Sequence, residues 1–175
     1  KNQRIHIHKV FKGIAQRGKC SMGWFFGFKL HLICNEKGEL LNFMITPGDV
    51  DDRKPLEYQA FVEFIHGKLV GDKGYISKNL FQRLFVDGIQ LITKLKSNMK
   101  GALMSVSDRL LLRKRAIIET VNDELKNIAQ VEHSRHRCFD NFIVNLLGAI
   151  AAYCLFPKKP CINVQRTIDT QLALF

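Results

Sequence analysis

The chain has 175 residues, of which 46% are apolar, enough for one domain with a buried core. It carries 27 Lys and Arg against 16 Asp and Glu, a formal charge of +11. Such an excess favours a polyanionic partner, above all nucleic acid. The five cysteines show no paired spacing, which argues against a disulfide framework or a zinc finger. No apolar run is long enough to predict a membrane span.

The first third of the chain predicts a basic, irregular start, then a hairpin, then a helix. Residues 1–20 suggest at most a short strand near residues 5–10, followed by a loop. Phe28, Leu30 and Leu32 alternate with polar residues, which predicts a strand with one apolar face. A turn ending at Gly38 leads to a second strand. Asp51 and Asp52 are expected to cap the helix that follows, with only a minor prospect of a metal role.

Residues 69–75 are the stretch around which the chain is organised. A short apolar run ends at Gly71, Asp72 follows at once, and Lys73 and Gly74 predict a tight turn before a helix over residues 77–87. The carboxylate of Asp72 would therefore lie at the carboxyl end of a buried strand, where open α/β sheets keep ligand sites. The alternative is that Asp72 only shapes the turn or pairs with Lys73.

A second acid stands in a helical pattern further along. Arg115, Glu119, Asn122 and Lys126 are spaced i, i+4, i+7 and i+11, which places them on one stripe of a single long helix over residues 108–129. An apolar stripe lies beside them, so Glu119 is expected at the edge of a buried face. The alternative is an ordinary solvated face with an Arg115–Glu119 pair.

Two basic stretches flank this helix, and an apolar helix follows them. Their cations fit phosphate contacts, although a plain solvated loop would have the same composition. The members concerned are Lys94, Lys96, Lys100, Arg135 and Arg137. Residues 142–156 predict a core helix, and residues 157–175 predict an irregular tail. His31 is expected to be a structural histidine rather than a ligand.

The order of elements predicts an α/β fold: a mixed sheet, made of an antiparallel hairpin plus parallel strands, flanked by helices. Carboxylates that meet at one sheet edge of a basic protein suggest a site for Mg²⁺, which takes oxygen ligands. Two such ions can assist phosphodiester cleavage.

Several motifs together resemble bacterial insertion-sequence transposases of the DDE class. They are GFKLHL at 27–32, TPG at 46–48, VDDR at 50–53, GDKGY at 71–75, IETVN at 118–122 and HSRHR at 133–137. The resemblance implies an RNase H-like catalytic domain over residues 1–156. It makes Asp72 and Glu119 the second and third catalytic acids and metal ligands, and it makes Arg115 and Lys126 DNA contacts. Leu112 stands where the family's helix signature has tyrosine.

The resemblance also implies Mg²⁺ or Mn²⁺, two ions in the complete enzyme, and cleavage of transposon ends followed by strand transfer into target DNA. It implies a homodimer on terminal-repeat DNA, in the bacterial cytoplasm at the nucleoid. No residue matches the family's first catalytic aspartate, so a truncated, inactive copy lacking the first central strand is expected. The alternatives are a non-catalytic DNA-binding remnant and an RNase H-like nuclease.

Overall fold

A computed structural model describes residues 9–20, 23–94, 104–131 and 135–162, and the backbone of 172–174. The strands are β1 (Gln16–Cys20), β2 (Gly23–Asn35), β3 (Leu40–Pro47), β4 (Gly67–Gly71), β5 (Ile89–Thr93) and β6 (Leu172–Leu174). The helices are α1 (Gln59–Val62), α2 (Lys78–Val86), α3 (Val106–Lys114), α4 (Ile117–Asn127) and α5 (Phe139–Cys154). Short 3₁₀ turns cover Lys54–Glu57 and Lys73–Tyr75.

The antiparallel part of the sheet is built on β2, the longest strand. The second half of β2 pairs with β3 through the turn that ends at Gly38, whose φ of +70° suits glycine. The first half pairs with β1 from Gln16↔Gly27 to Cys20↔Gly23. The hairpin predicted from sequence is confirmed, whereas β1 lies in a stretch that the sequence predicts to be a loop.

The parallel part of the sheet consists of β4, β5 and β6. Strand β4 pairs in register with β5, from Gly67↔Ile89 to Gly71↔Thr93. Strand β6 lies between β2 and β4, antiparallel to β2 and parallel to β4. The central position expected to lack a strand is therefore taken by the backbone of Leu172–Leu174, which the sequence does not predict as a strand.

Helices cover both faces of this sheet. On one face Leu32, Cys34, Val70 and Ile92 pack with the apolar residues of α3, α4 and α5. On the other face Ile33, Leu69 and Leu91 pack with α1 and α2. Each fully buried Leu or Ile contributes roughly 2–3 kcal/mol to this core. The predicted fold class, a mixed RNase H-like sheet flanked by helices, is confirmed.

Two helices differ from their sequence predictions. The helix expected from Asp51 onwards is only the 3₁₀ turn Lys54–Glu57 and the single turn α1, and no side chain caps the 3₁₀ turn. The long helix expected over residues 108–129 is divided at Arg115 and Ala116 into α3 and α4. At this division Ile118 N–H donates to Arg115 O (3.1 Å) and Glu119 N–H to Ala116 O (3.0 Å), which is the tighter 3₁₀ pattern.

Candidate active site

Asp72 lies directly after β4, as the sequence predicts. Its side chain caps the 3₁₀ turn Lys73–Tyr75, because Oδ1 accepts a hydrogen bond of 2.8 Å from Lys73 N–H. Ser77 then caps α2 by accepting from Leu80 N–H at 3.4 Å. The predicted order of strand, acid, turn and helix is confirmed. Asp72 does shape its turn, yet its side chain remains exposed at the carboxyl end of β4.

The ring of Tyr75 lies close to Gly71, the last residue of β4, which directly precedes Asp72. This ring lies 3.3 Å from the position that a Cβ on Gly71 would take, so the absence of a side chain there leaves room for the ring. Burial raises the pKa of the Tyr75 hydroxyl well above its usual value, and the negative charges of Asp52 and Asp72 raise it further. The positive charge of Arg115 acts in the opposite direction. The hydroxyl therefore stays protonated, and the charges of three carboxylates and one guanidinium act on it.

Glu119 lies on the first turn of α4 and binds Arg115. The two side chains form an i,i+4 ion pair, with Arg115 Nη2 3.2 Å from Glu119 Oε1. The Glu119 side chain is 67% exposed and that of Arg115 23%. The pair foreseen in the alternative interpretation is thus present, and Glu119 is more exposed than the sequence suggests. It remains accessible to a ligand.

Arg115 interacts with Glu119 and, through its charge, with Tyr75. Its charge and that of Asp72 both act on the hydroxyl of Tyr75, while its guanidinium holds Glu119. The break between α3 and α4 falls at Arg115, which is the C-terminal cap residue of α3. Arg115 thus binds Glu119 directly and acts on Tyr75 through its charge.

Lys94 lies at the same sheet edge as Asp72. It follows Thr93, the Cα partner of Gly71 in the parallel ladder, so Lys94 and Asp72 leave neighbouring strands at equivalent positions. Its side chain is exposed. Lys96 and Lys100 fall outside the described residues.

A surface cavity of about 690 Å³ lies at the end of α4. Its lining brings Lys126 of that helix together with Arg135 from the segment that follows, and Asn127 and Gln130 complete the wall. Arg137 is exposed two residues beyond Arg135. Two of the predicted DNA-binding cations thus share one cavity.

The loop after β3 contributes two acids, Asp51 and Asp52, and the position of Asp52 is one that the sequence does not predict. Asp51 binds its neighbour Arg53, with 2.6 Å between Oδ2 and Nη2. Asp52 instead reaches back to β2, where Lys29 Nζ lies 2.8 Å from its Oδ1 and 2.7 Å from Val50 O. The expectation that both aspartates cap a helix is wrong, because neither carboxylate caps the 3₁₀ turn.

His31 lies on β2 and contacts β3. His31 is buried, its Nε2 lies 2.8 Å from Thr46 Oγ1, and burial lowers its pKa. These observations agree with a structural histidine.

A second cavity, of about 360 Å³, lies between the loop after β3 and the start of α2, with Arg53, Lys54 and Arg83 in its wall.

Asp72 and Glu119 both have exposed carboxylate oxygens. Such oxygens are the type of ligand that a hard divalent cation takes. Within the described ranges, however, no group of three or more His, Cys, Asp or Glu is arranged to hold a metal ion. The same ranges contain no helix that is both long and apolar enough to cross a bilayer.

Comparisons with known proteins identify the family. No curated protein and no solved structure gives a significant match. A family model described as a transposase DDE domain matches residues 1–139, which is most of the 175-residue chain. Members of this family act on DNA and use divalent metal ions. The chain therefore belongs to the transposase DDE domain family.

Proposed function

We propose that this chain serves metal-dependent DNA transposition, with Asp72 and Glu119 as its catalytic carboxylates. The observation that carries the proposal is the exposure of both carboxylates, Asp72 directly after β4 and Glu119 on the first turn of α4, where Arg115 binds it. Acids from the end of a parallel strand and from a helix then serve one reaction centre. The reaction is cleavage of DNA strands at transposon ends, followed by attack of the freed 3′ hydroxyl on target DNA.

The carboxylates would hold Mg²⁺ or Mn²⁺, which supplies activation of the attacking oxygen and stabilisation of the leaving oxygen. If the ion took Oε1, the oxygen that Arg115 contacts, Glu119 would exchange this contact for the metal. That exchange is inexpensive, because an exposed i,i+4 pair contributes only a few tenths of a kcal/mol. The released guanidinium is then available for a phosphate oxygen beside the acids.

DNA is held by cations on, or next to, the elements that carry the acids. Lys94 lies beside Asp72, and Lys126 and Arg135 share the cavity at the end of α4. Phosphate contacts from such side chains fix the position of a duplex without reading its sequence. We extend the proposal to Lys96, Lys100 and Arg137, and to a homodimer that pairs two transposon ends.

A second proposal is DNA binding without strand cleavage. It is favoured by the finding that the described residues provide no group of three or more metal-ligating side chains. The basic surface would serve equally well in such a protein, because phosphate contacts need no metal.

A cleavage assay separates the two proposals. The chain would be incubated with labelled duplexes that carry the terminal repeats flanking its gene, in Mg²⁺ or Mn²⁺, beside Asp72→Asn and Glu119→Gln variants. Transposition predicts nicking at the repeat boundary by the unmodified chain, and its loss in both variants with DNA binding retained. Asp87→Asn, at the far end of α2, is the control and should nick normally. Binding without nicking would favour the second proposal, and nicking by both variants would refute the first.

A further inference from the structure

The last turn of α4 ends in an unusual backbone conformation. Gln130 has a φ of +53°, in the left-handed region that glycine adopts most readily. This conformation turns the chain back so that Val131 N–H donates to Leu125 O at 3.2 Å. A carbonyl of the last turn is thereby satisfied, as at helix ends where glycine occupies the left-handed position.

The backbone alone would be served better by glycine, or by asparagine, than by glutamine. Glutamine has a Cβ, which is unfavourable at this φ, and its amide is too far from the backbone for the local hydrogen bonds that help asparagine. Backbone strain at a surface residue suggests that its side chain has a function.

The side chain of Gln130 lines the cavity of about 690 Å³ together with Lys126, Asn127 and Arg135. Asn127 is engaged within its own helix, because its Nδ2 donates to Asp123 Oδ1 at 2.6 Å. Gln130 is exposed, and its amide offers both a donor and an acceptor in a cavity that two cationic side chains also line. This combination suits a nucleotide whose phosphates are held by the cations.

We propose that Gln130 is a DNA-contacting residue, whose amide hydrogen-bonds a nucleotide of a duplex held by Lys126 and Arg135. The proposal deepens the DNA-binding part of the proposed function and rests on it. The amide is uncharged, so the contact adds affinity without releasing counterions. Strain in the backbone at Gln130 is thus the cost of presenting a long amide at this site.

The test is Gln130→Gly in the full chain. Two properties of this variant are measured: its thermal unfolding, and its binding to a fluorescent mixed-sequence duplex. A duplex of about 20 base pairs is long enough to occupy the cavity. Glycine should relieve the strain and raise Tm by about 2 °C. It should also weaken DNA binding by about fivefold, as expected for one lost hydrogen bond, with the salt dependence unchanged. A glycine variant that binds DNA as tightly as the unmodified chain would overturn the proposal.

Two further variants complete the experiment. Gln130→Asn keeps an amide and suits the left-handed backbone, so it should raise Tm while the shorter side chain still weakens binding. Lys126→Ala tests the proposed function separately, because it should weaken binding and reduce the salt dependence by about one phosphate contact. If Lys126→Ala weakens binding and neither Gln130 variant does, only the role of Gln130 fails. If the unmodified chain binds no duplex, both proposals fail.

Discussion

Arg115 Nη2 lies 3.2 Å from Glu119 Oε1, across the point at which one predicted helix becomes two. An α-helix would place these side chains one turn apart, and the 3₁₀ step between α3 and α4 keeps them in contact. Glu119 is largely exposed, so this pair has little influence on the fold. What the pair does is orient the Glu119 carboxylate, through the contact of its Oε1 with the Arg115 guanidinium.

Glu119→Gln should therefore leave stability nearly unchanged. We expect the free energy of unfolding to change by less than about 0.5 kcal/mol, because the pair is exposed and solvent screens it. Urea unfolding followed by circular dichroism would measure the change.

The matched control is Asp108→Asn. Asp108 Oδ1 lies 2.8 Å from Lys68 Nζ, and its side chain is only 15% exposed, so it links α3 to β4 more tightly. This variant should lose about 1–2 kcal/mol, since a partly buried ammonium loses its charged acceptor. An equal loss in the two variants would show that Glu119 has a structural role.

Lys94→Ala should reduce the salt dependence of DNA binding. Each phosphate contact contributes about 0.9 to the slope of log K against log salt concentration, so the slope should fall by about that amount. Fluorescence anisotropy titrations between about 50 and 200 mM salt would measure it. Lys37→Ala, in the exposed turn between β2 and β3, is the control and should leave the slope unchanged. Equal slopes for the two variants would exclude Lys94 from the DNA contact.

Hydrophobic patterning predicts the centre of this fold well. Alternation at Phe28, Leu30 and Leu32 predicts β2, and the apolar run before Asp72 predicts β4. Both signals depend on burial in the sheet, which is what periodicity reports. Strand β1 has no such signal: its sequence is Gln-Arg-Gly-Lys-Cys, with only Gly18 buried, and it is a strand because its backbone pairs with β2.

The site is predictable only in part, and for physical reasons. Asp72 lies between a strand and a turn that local sequence determines. The break at Arg115 and Ala116 has no sequence signal, because both residues favour helices and neither glycine nor proline is near. Tyr75 and Asp52 depend on contacts between distant segments, although the spacing of Tyr75 three residues after Asp72 is a usable signal when a 3₁₀ turn follows the acid.

Cys34 should resist alkylation in the folded protein. Burial raises the pKa of its thiol to about 12, so almost no thiolate forms at neutral pH. The other four cysteines, Cys20, Cys138, Cys154 and Cys161, are exposed. A thiol titration with a chromogenic disulfide should show four fast groups in the native protein and a fifth on adding denaturant. Five fast groups without denaturant would mean that the β2 core opens readily.

His31 should make the protein less stable as the pH falls. Burial lowers the pKa of His31 in the folded protein below the ordinary value of 6.5, so the unfolded chain binds a proton first. Stability contributed by the neutral ring is present above pH 6.5 and is lost as the pH falls from 6.5 towards the lowered pKa, by at most about 1.4 kcal/mol per pH unit.

Denaturant midpoints measured across this range should therefore depend less on pH in His31→Gln than in the unmodified chain. His66→Gln changes an exposed histidine and should follow the unmodified chain. Identical pH profiles for the His31 variant and the unmodified chain would show that His31 keeps an ordinary pKa.

Gly38 should be among the glycines least tolerant of a side chain. Its φ is +70°, a Cβ there would collide with the carbonyl of Pro160, and its own carbonyl accepts a hydrogen bond of 2.6 Å from the Tyr153 hydroxyl. Gly38→Ala combines backbone strain with this collision and should cost about 3 kcal/mol, measured by urea unfolding.

Gly88→Ala is the matched comparison, because Gly88 has a similar φ of +76° and no atom within 4 Å of the position that a Cβ would take. It carries the backbone strain alone and should cost about 1 kcal/mol. The difference between the two variants measures how tightly the end of α5 and Pro160 close over the β2–β3 turn. Equal costs would mean that Pro160 moves away from residue 38 without loss of stability, and that the pairing of β2 with β3 holds the hairpin.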